Sequence, residues 1–189
     1  MPYSEPLSPV PNQTTITETD KASYPWLEWF RQVRGILNEL NYSRDYGGFN
    51  QTTDQTPTAI NTAQVVPFSH YLQDGVSIVD GSKITIKRTG LYKIDFSTQI
   101  TSTSSSIKNV WFWPRVNGVD VGGFTMKHTL SSNNETEVVS RHGIFSLSAN
   151  DYLQVMWAAD STNVKLGAVA ATAFSPASPA ALLAVIQLR

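Results

Sequence analysis

From about residue 59 onward, apolar and polar positions alternate in short runs separated by turn residues. The clearest run is Arg88-Thr89-Gly90-Leu91-Tyr92-Lys93-Ile94-Asp95-Phe96-Ser97, in which Leu91 or Tyr92, Ile94 and Phe96 recur near a period of two. That period stacks apolar side chains on one face of a sheet. Gly90 marks the turn before the strand. Similar runs cover Val76–Val79, Lys83–Lys87, Val110–Val116, Val138–Leu147, Tyr152–Trp157 and Leu182–Leu188. Asp80-Gly81 and Asn117-Gly118 are hairpin dipeptides. Pro67 puts Val65–Phe68 at an edge or a bulge. Many short strands at regular spacing predict a mostly β fold, an antiparallel sandwich or jelly roll, over residues 59–189.

The chain before this head is patterned differently. Residues 1–23 carry Pro2, Pro6, Pro9 and Pro11 and read as an extended arm, with Tyr3, Leu7 and Val10 as apolar anchors for a partner surface. Over 24–41 the period becomes helical. Trp26, Phe30, Val33, Leu37 and Leu40 follow at spacings of four, three, four and three, and Trp29 and Ile36 widen the stripe. This predicts one short amphipathic helix, with Pro25 in its first turn and Gly35 weakening it by roughly 1 kcal/mol relative to alanine. Two heptads are too few for a stable solitary coiled coil. The helix therefore needs a partner: its counterparts in an oligomer, its own head, or another protein. Residues 42–58, with Gly47-Gly48, read as a flexible linker.

Composition removes several function classes. The formal net charge is −1 and no basic cluster occurs, which argues against nucleic acid and anionic membranes as partners. There is no cysteine, so disulfides and thiolate metal sites are excluded. No apolar run reaches the length of a membrane span. The first residues lack a signal-peptide pattern, and production without secretory export is expected. His70, His128 and His142 show no metal-ligand spacing, and no nucleophile elbow or phosphate loop occurs. Asp151 or Asp160 could hold calcium with a loop carbonyl, but no ligand spacing supports it. The expectation is a non-enzymatic protein with no cofactor and no metal.

Two strands pose a burial problem. In Leu182–Leu188, Leu183 and Val185 point to one face, while Leu182, Ala184, Ile186 and Leu188 point to the other. A sandwich strand with water behind it should carry one polar face. Trp111, Phe112 and Trp113 make the same demand. A second burial partner is expected, and a covering loop or the helix is the alternative.

The order of these strand signals resembles the globular heads of the complement-head and tumour-necrosis-factor superfamily. Gly90-Leu91-Tyr92 and the alternating residues after it are similar to its Gly-x-Tyr-x-Phe strand. Val66-Pro67-Phe68 is similar to its first-strand segment, and Val110 to Gly118 to its strand ending in Asn-Gly. Leu147 to Val155 resembles its Leu-x-x-Gly-Asp-x-Val turn, with Asn150 in place of the glycine. Ser175-Pro176-Ala177-Ser178-Pro179 stands where the family has Phe-x-Gly. The resemblance implies a homotrimer, and Trp111, Trp113, Tyr152, Leu182, Ile186 and Leu188 are the expected interface residues.

The arm, helix and head together resemble trimeric virion proteins of tailed phages: head fibres, decoration proteins and receptor-binding tips. That resemblance implies a structural protein assembled in the host cytoplasm and located on the virion. Its partners would be capsid or neck and tail proteins, docked through Tyr3, Leu7, Val10, Trp26, Trp29, Phe30, Val33 and Leu37. The alternative is a tail-associated tip that binds a host surface glycan or protein through loops 101–108, 130–136 and 160–180. A signalling ligand of host origin is a third reading, disfavoured by the lack of a signal sequence or membrane anchor.

Overall fold

The computed structural model describes residues 24–40 and 44–188, with helix side chains described from 26 to 37. Two compact units result, one holding the helix and one spanning residues 44–188. The arm anchors Tyr3, Leu7 and Val10 lie outside the described residues.

Helix α1 spans Tyr24–Leu40. Its first turns carry an aromatic cluster, with Trp29 and Phe30 ring centroids 5.3 Å apart and Trp26 within 5.9 Å of both. Phe30 and Leu37 are more than half exposed, and Trp26, Trp29 and Val33 are partly buried.

The head runs β1 (Tyr46–Gln51), β2 (Gln64–Val65), β3 (Ser69–Asp74), β4 (Val76–Val79), β5 (Lys83–Ile86), β6 (Gly90–Ser102) and β7 (Lys108–Val116). It continues through β8 (Val119–Asp120), β9 (Met126–Leu130), β10 (Thr136–Leu147), β11 (Tyr152–Ala159), β12 (Val164–Leu166) and β13 (Ala181–Gln187). One sheet has the order β10-β6-β13-β1-β3, with β12 also on β6. The other has the order β4-β5-β11-β7-β8, with β2 on β11 and β9 on β7. All pairings are antiparallel, and the chain passes repeatedly from one sheet to the other, as in a jelly roll.

The core follows from the alternation. Tyr92, Ile94 and Phe96 of β6 point inward with Leu183 and Val185 of β13, against Ile84, Val110, Phe112, Leu153, Val155 and Trp157 of the second sheet. Phe112 stacks on Trp157 at 6.2 Å, and the indole Nε1 donates to Gln55 Oε1 at 3.1 Å. Burying such a side chain contributes roughly 1.5–3 kcal/mol. Both hairpin dipeptides turn as expected. Asp80 and Gly81 take φ of +52° and +63°, and Asn117 and Gly118 take +50° and +81°. Asn150, in the family's glycine position, takes φ +72°, a conformation asparagine tolerates well.

The linker reading of 42–58 is corrected. Tyr46–Gln51 is a full strand, paired with β13 on one side and β3 on the other, so the head begins at Arg44. It is also the first strand of the jelly roll, a place the sequence had suggested for Val66-Pro67-Phe68. The two glycines are packing devices. A Cβ on Gly47 would lie 2.5 Å from the buried Phe49 ring, and one on Gly48 2.6 Å from the Tyr71 ring. Each glycine is the floor beneath an aromatic side chain.

Candidate interaction surfaces

Residues that alternate out of the first sheet line up in rows across its strands. One row runs Tyr46, Ile186, Lys93, Ile144; the next Gly48, Ala184, Asp95, His142; the third Asn50, Leu182, Ser97, Ser140. Tyr71 lies over Gly48 from the edge strand β3. Val138, Ile144, Tyr71, Leu182 and Ile186 are all at least 41% exposed. The result is an open face, apolar toward its margins, with a Lys93–Asp95 ion pair at 2.9 Å near its centre.

The expected interface residues do not share this face. Leu182, Ile186 and the half-buried Leu188 belong to it, through their parity on and after β13. Trp111, Trp113 and Tyr152 point out of the second sheet, on the opposite side of the sandwich. One patch therefore cannot contain all six. The half-buried tryptophans have charged neighbours within the chain. Lys127 Nζ sits 5.6 Å from the Trp111 ring centre, and the Trp113 indole lies near the Asp120 carboxylate. The Asp120 carboxyl is held below its usual range, first by Arg115 at 2.7 Å and then by that indole. Lys83 Nζ lies 5.6 Å from the Tyr152 ring centre.

The two ends of the sandwich differ in character. At one end the chain enters through Asp45, close to the turns 87–90 and 148–151 and to Leu188. Asp45 is fully buried and carries the network there. Arg88 Nη1 donates to its Oδ1 at 2.5 Å, and Asp45 N and O pair with Gln187. The Tyr92 hydroxyl sits 3.1 Å from Oδ2 and 2.6 Å from Arg88 O. Gly75, at φ +69°, faces the carboxylate so closely that no side chain fits.

At the other end lie the loops 103–107, 131–135, 160–163 and 167–180. Each is braced. Lys108 is fully buried, and its ammonium donates to the carbonyls of Ser104, at 2.6 Å, and Ser106. Glu135 accepts from the backbone N–H groups of Ser132 and Ser131, at 2.7 and 2.6 Å, which hold its carboxyl below the usual range. Asp160 accepts from Asn109 N and Nδ2, at 2.8 and 2.6 Å. Asp54 accepts from Lys165 Nζ at 2.5 Å and Ala168 N at 2.8 Å, and both lower its pKa. Asp151, considered above for calcium, sits in the turn at the opposite end and caps Asn117 Nδ2 and Ser148 N, both at 2.7 Å. His128 faces Glu137 at 2.5 Å, and His70 and His142 are exposed. No cluster of three or more metal-ligating side chains occurs among the described residues.

Sequence reasoning missed Asp45, Arg88, Lys108 and Tyr71. A lone ionisable residue beside a strand gives no sign of whether it is solvated or buried, and Ser69–Asp74 shows no alternation to mark it as a strand.

No protein family matches the sequence, and no curated protein does. Solved structures do. Murine APRIL at pH 8.0 aligns with a TM-score of 0.51 and 13% identity, over 77% of this chain and 100% of its own. The Eiger TNF of S. frugiperda aligns with a TM-score of 0.52 and 12% identity, over 78% and 94%. The head has the tumour-necrosis-factor jelly-roll fold. At these identities the similarity extends to the fold alone. Within the tumour-necrosis-factor-like head, the open apolar face is the outer face of the sheet that holds the first and last strands.

Proposed function

We propose that this chain is a non-catalytic virion structural protein, a homotrimer of jelly-roll heads attached to a phage capsid through its N-terminal arm and helix. The observation that carries the reading is the outer face of the first sheet. Tyr71, Val138, Ile144, Leu182 and Ile186 form an apolar surface that nothing among the described residues of the head covers. Apolar area removed from water contributes roughly 25 cal/mol per Å² before association costs, and three copies closing on that face would remove it. The exposed Phe30 and Leu37, beside Trp26, Trp29 and Val33, supply the docking stripe. A second reading, a tail-associated tip that attaches to the host surface, is favoured by the braced loops at the end remote from Asp45.

Light scattering on the full chain and on a chain beginning at Arg44 tests the assembly. Trimers in both are expected, because the proposed contact lies in the head. Ile186→Asp should give monomers, and Gln154→Asp on the opposite sheet face should not. Monomeric wild-type protein would refute the trimer. Normal particle occupancy by a Trp26→Ala/Phe30→Ala variant would refute docking by the helix.

A further inference from the structure

One side-chain amide joins two turns at the Asp45 end of the sandwich. Asn117 opens the two-residue reversal between β7 and β8, and its N–H donates to Tyr152 O at 3.0 Å. Its carboxamide oxygen accepts from Tyr152 N at 3.0 Å, and its Nδ2 donates to Asp151 Oδ1 at 2.7 Å. Both ends of the amide are thus held by the neighbouring turn. The other Asp151 oxygen accepts from Ser148 N at 2.7 Å, so one carboxylate closes its own turn and grips the hairpin.

Asn117-Gly118 is also the one Asn-Gly pair in the sequence. Glycine has no Cβ, so its nitrogen can come close to the preceding side chain. Gly118 N–H has no hydrogen-bond partner among the described residues, and both residues are exposed.

We propose that Asn117 is a covalent modification site, deamidated through a cyclic imide with Gly118, and that Asp151 and Tyr152 hold the reaction off while the two turns are docked. Gly118 N gives its proton to hydroxide, and its electron pair attacks Asn117 Cγ. The Cγ–Nδ2 bond breaks, and Nδ2 takes a proton from water and leaves as ammonia. Water then adds to one of the two imide carbonyls and opens the ring. Cleavage of the new bond to Cγ gives aspartate. Cleavage at the main-chain carbonyl gives isoaspartate, in which the chain runs through the former side chain.

The docked turn opposes ring closure. Asn117 and Gly118 sit in left-handed backbone, at φ +50° and +81°, as this reversal requires. A planar imide needs ψ at Asn117 well outside the left-handed helical range. The turn therefore opens first, and the rate scales with the open fraction. The product then undoes the clamp. Aspartate sets a carboxylate where Nδ2 had donated to Asp151, so a hydrogen bond becomes a like-charge contact. Isoaspartate lengthens the main chain within a reversal built for two residues. Ammonia is lost, so the change runs one way.

The test is the rate at which Asn117 gains the mass difference between an amide and an acid, read by peptide mapping of the full chain in mildly alkaline buffer. Asp74-Gly75 and Asp80-Gly81 form the same imide without a change of mass, so they do not interfere. A synthetic peptide spanning residues 115–120 gives the unclamped rate. The folded chain should react at least about tenfold more slowly than the peptide. The chain unfolded in urea should match the peptide in urea. Asp151→Ala should speed the folded chain about tenfold, and Asp151→Asn, which keeps an accepting oxygen, should speed it less. Circular dichroism checks that both variants are folded; if Asp151→Ala is not, the folded wild type against the peptide still decides. Asn117→Asp, the product itself, should shift the amide resonances of Ser148 and Tyr152. Equal rates in the folded chain and the peptide, an unchanged rate in folded Asp151→Ala, or no reaction of Asn117 in the unfolded chain would overturn the proposal. So would an Asn117→Asp chain whose Ser148 and Tyr152 resonances do not move.

Discussion

Replacing Arg88 by methionine isolates the buried ion pair where the chain enters the head. Methionine keeps most of the aliphatic stem and removes the charge. Asp45 has no exposed surface, and its Oδ1 is bonded by the guanidinium. The Tyr92 hydroxyl has one proton for two acceptors, Asp45 Oδ2 at 3.1 Å and Arg88 O at 2.6 Å, so it cannot fully replace the lost donor. Removing one partner of a buried pair costs about 3–5 kcal/mol. The Arg88 side chain is 26% exposed, so water can reach part of the site, and the lower end, about 3 kcal/mol, applies. For a domain of this size that is a fall in Tm of about 6–12 °C. Urea or thermal unfolding at one fixed protomer concentration measures it, since assembly makes apparent stability concentration-dependent. Adding Asp45→Asn to Arg88→Met removes the orphaned charge and should restore at least about 1 kcal/mol. A loss below about 1 kcal/mol for the single variant, or a double variant no more stable than it, would refute the argument.

The adjacent glycines of β1 should respond unequally to the same substitution. Gly47→Ala meets the buried Phe49 ring and should cost about 2 kcal/mol by overpacking. Gly48→Ala meets the 58%-exposed Tyr71, which can swing away, so the loss should stay below about 1 kcal/mol; the reverse order in urea unfolding would refute the packing assignment. Asn150→Ala should cost about 1–2 kcal/mol because φ is +72°, whereas Asn150→Gly should be neutral or stabilising. Acid should loosen loop 131–135. Glu135 has its folded pKa lowered by Ser132 and Ser131 N–H, so its stabilisation is full above the ordinary glutamate value of about 4.3 and is lost as pH falls through the lower folded value. The amide shifts of Ser131 and Ser132 should report a midpoint below that ordinary value, and a midpoint at or above it would refute the cap.

The sheet was legible wherever one face is buried and the other solvated, because alternation then writes the strand directly into the sequence. β6 is such a strand, with Tyr92, Ile94 and Phe96 pointing inward as their parity required; β13 was legible instead as an uninterrupted apolar run, with Leu183 and Val185 inward. β1 was hidden because Gly47 and Gly48 carry no apolar signal of their own; Phe49 and Tyr71 supply the covering, and Tyr71 comes from another strand. β3 was hidden because all six of its residues are exposed. The interaction surface was only half legible for a related reason. Period two says that Trp111 and Ile186 both point away from the core, but it does not say from which sheet. Strand order decides that, and it puts them on opposite sides. What lies beside each then differs: the exposed Ile186 has apolar Tyr46, Leu182 and Ile144 for neighbours on an open face of the head, whereas Lys127 and Asp120 of the same chain lie beside Trp111 and Trp113. An outward aromatic is therefore weaker grounds for an interface than an outward aliphatic row. A ring offers a face or an N–H that a neighbouring charged side chain can satisfy, and Leu182 and Ile186 have no such handle.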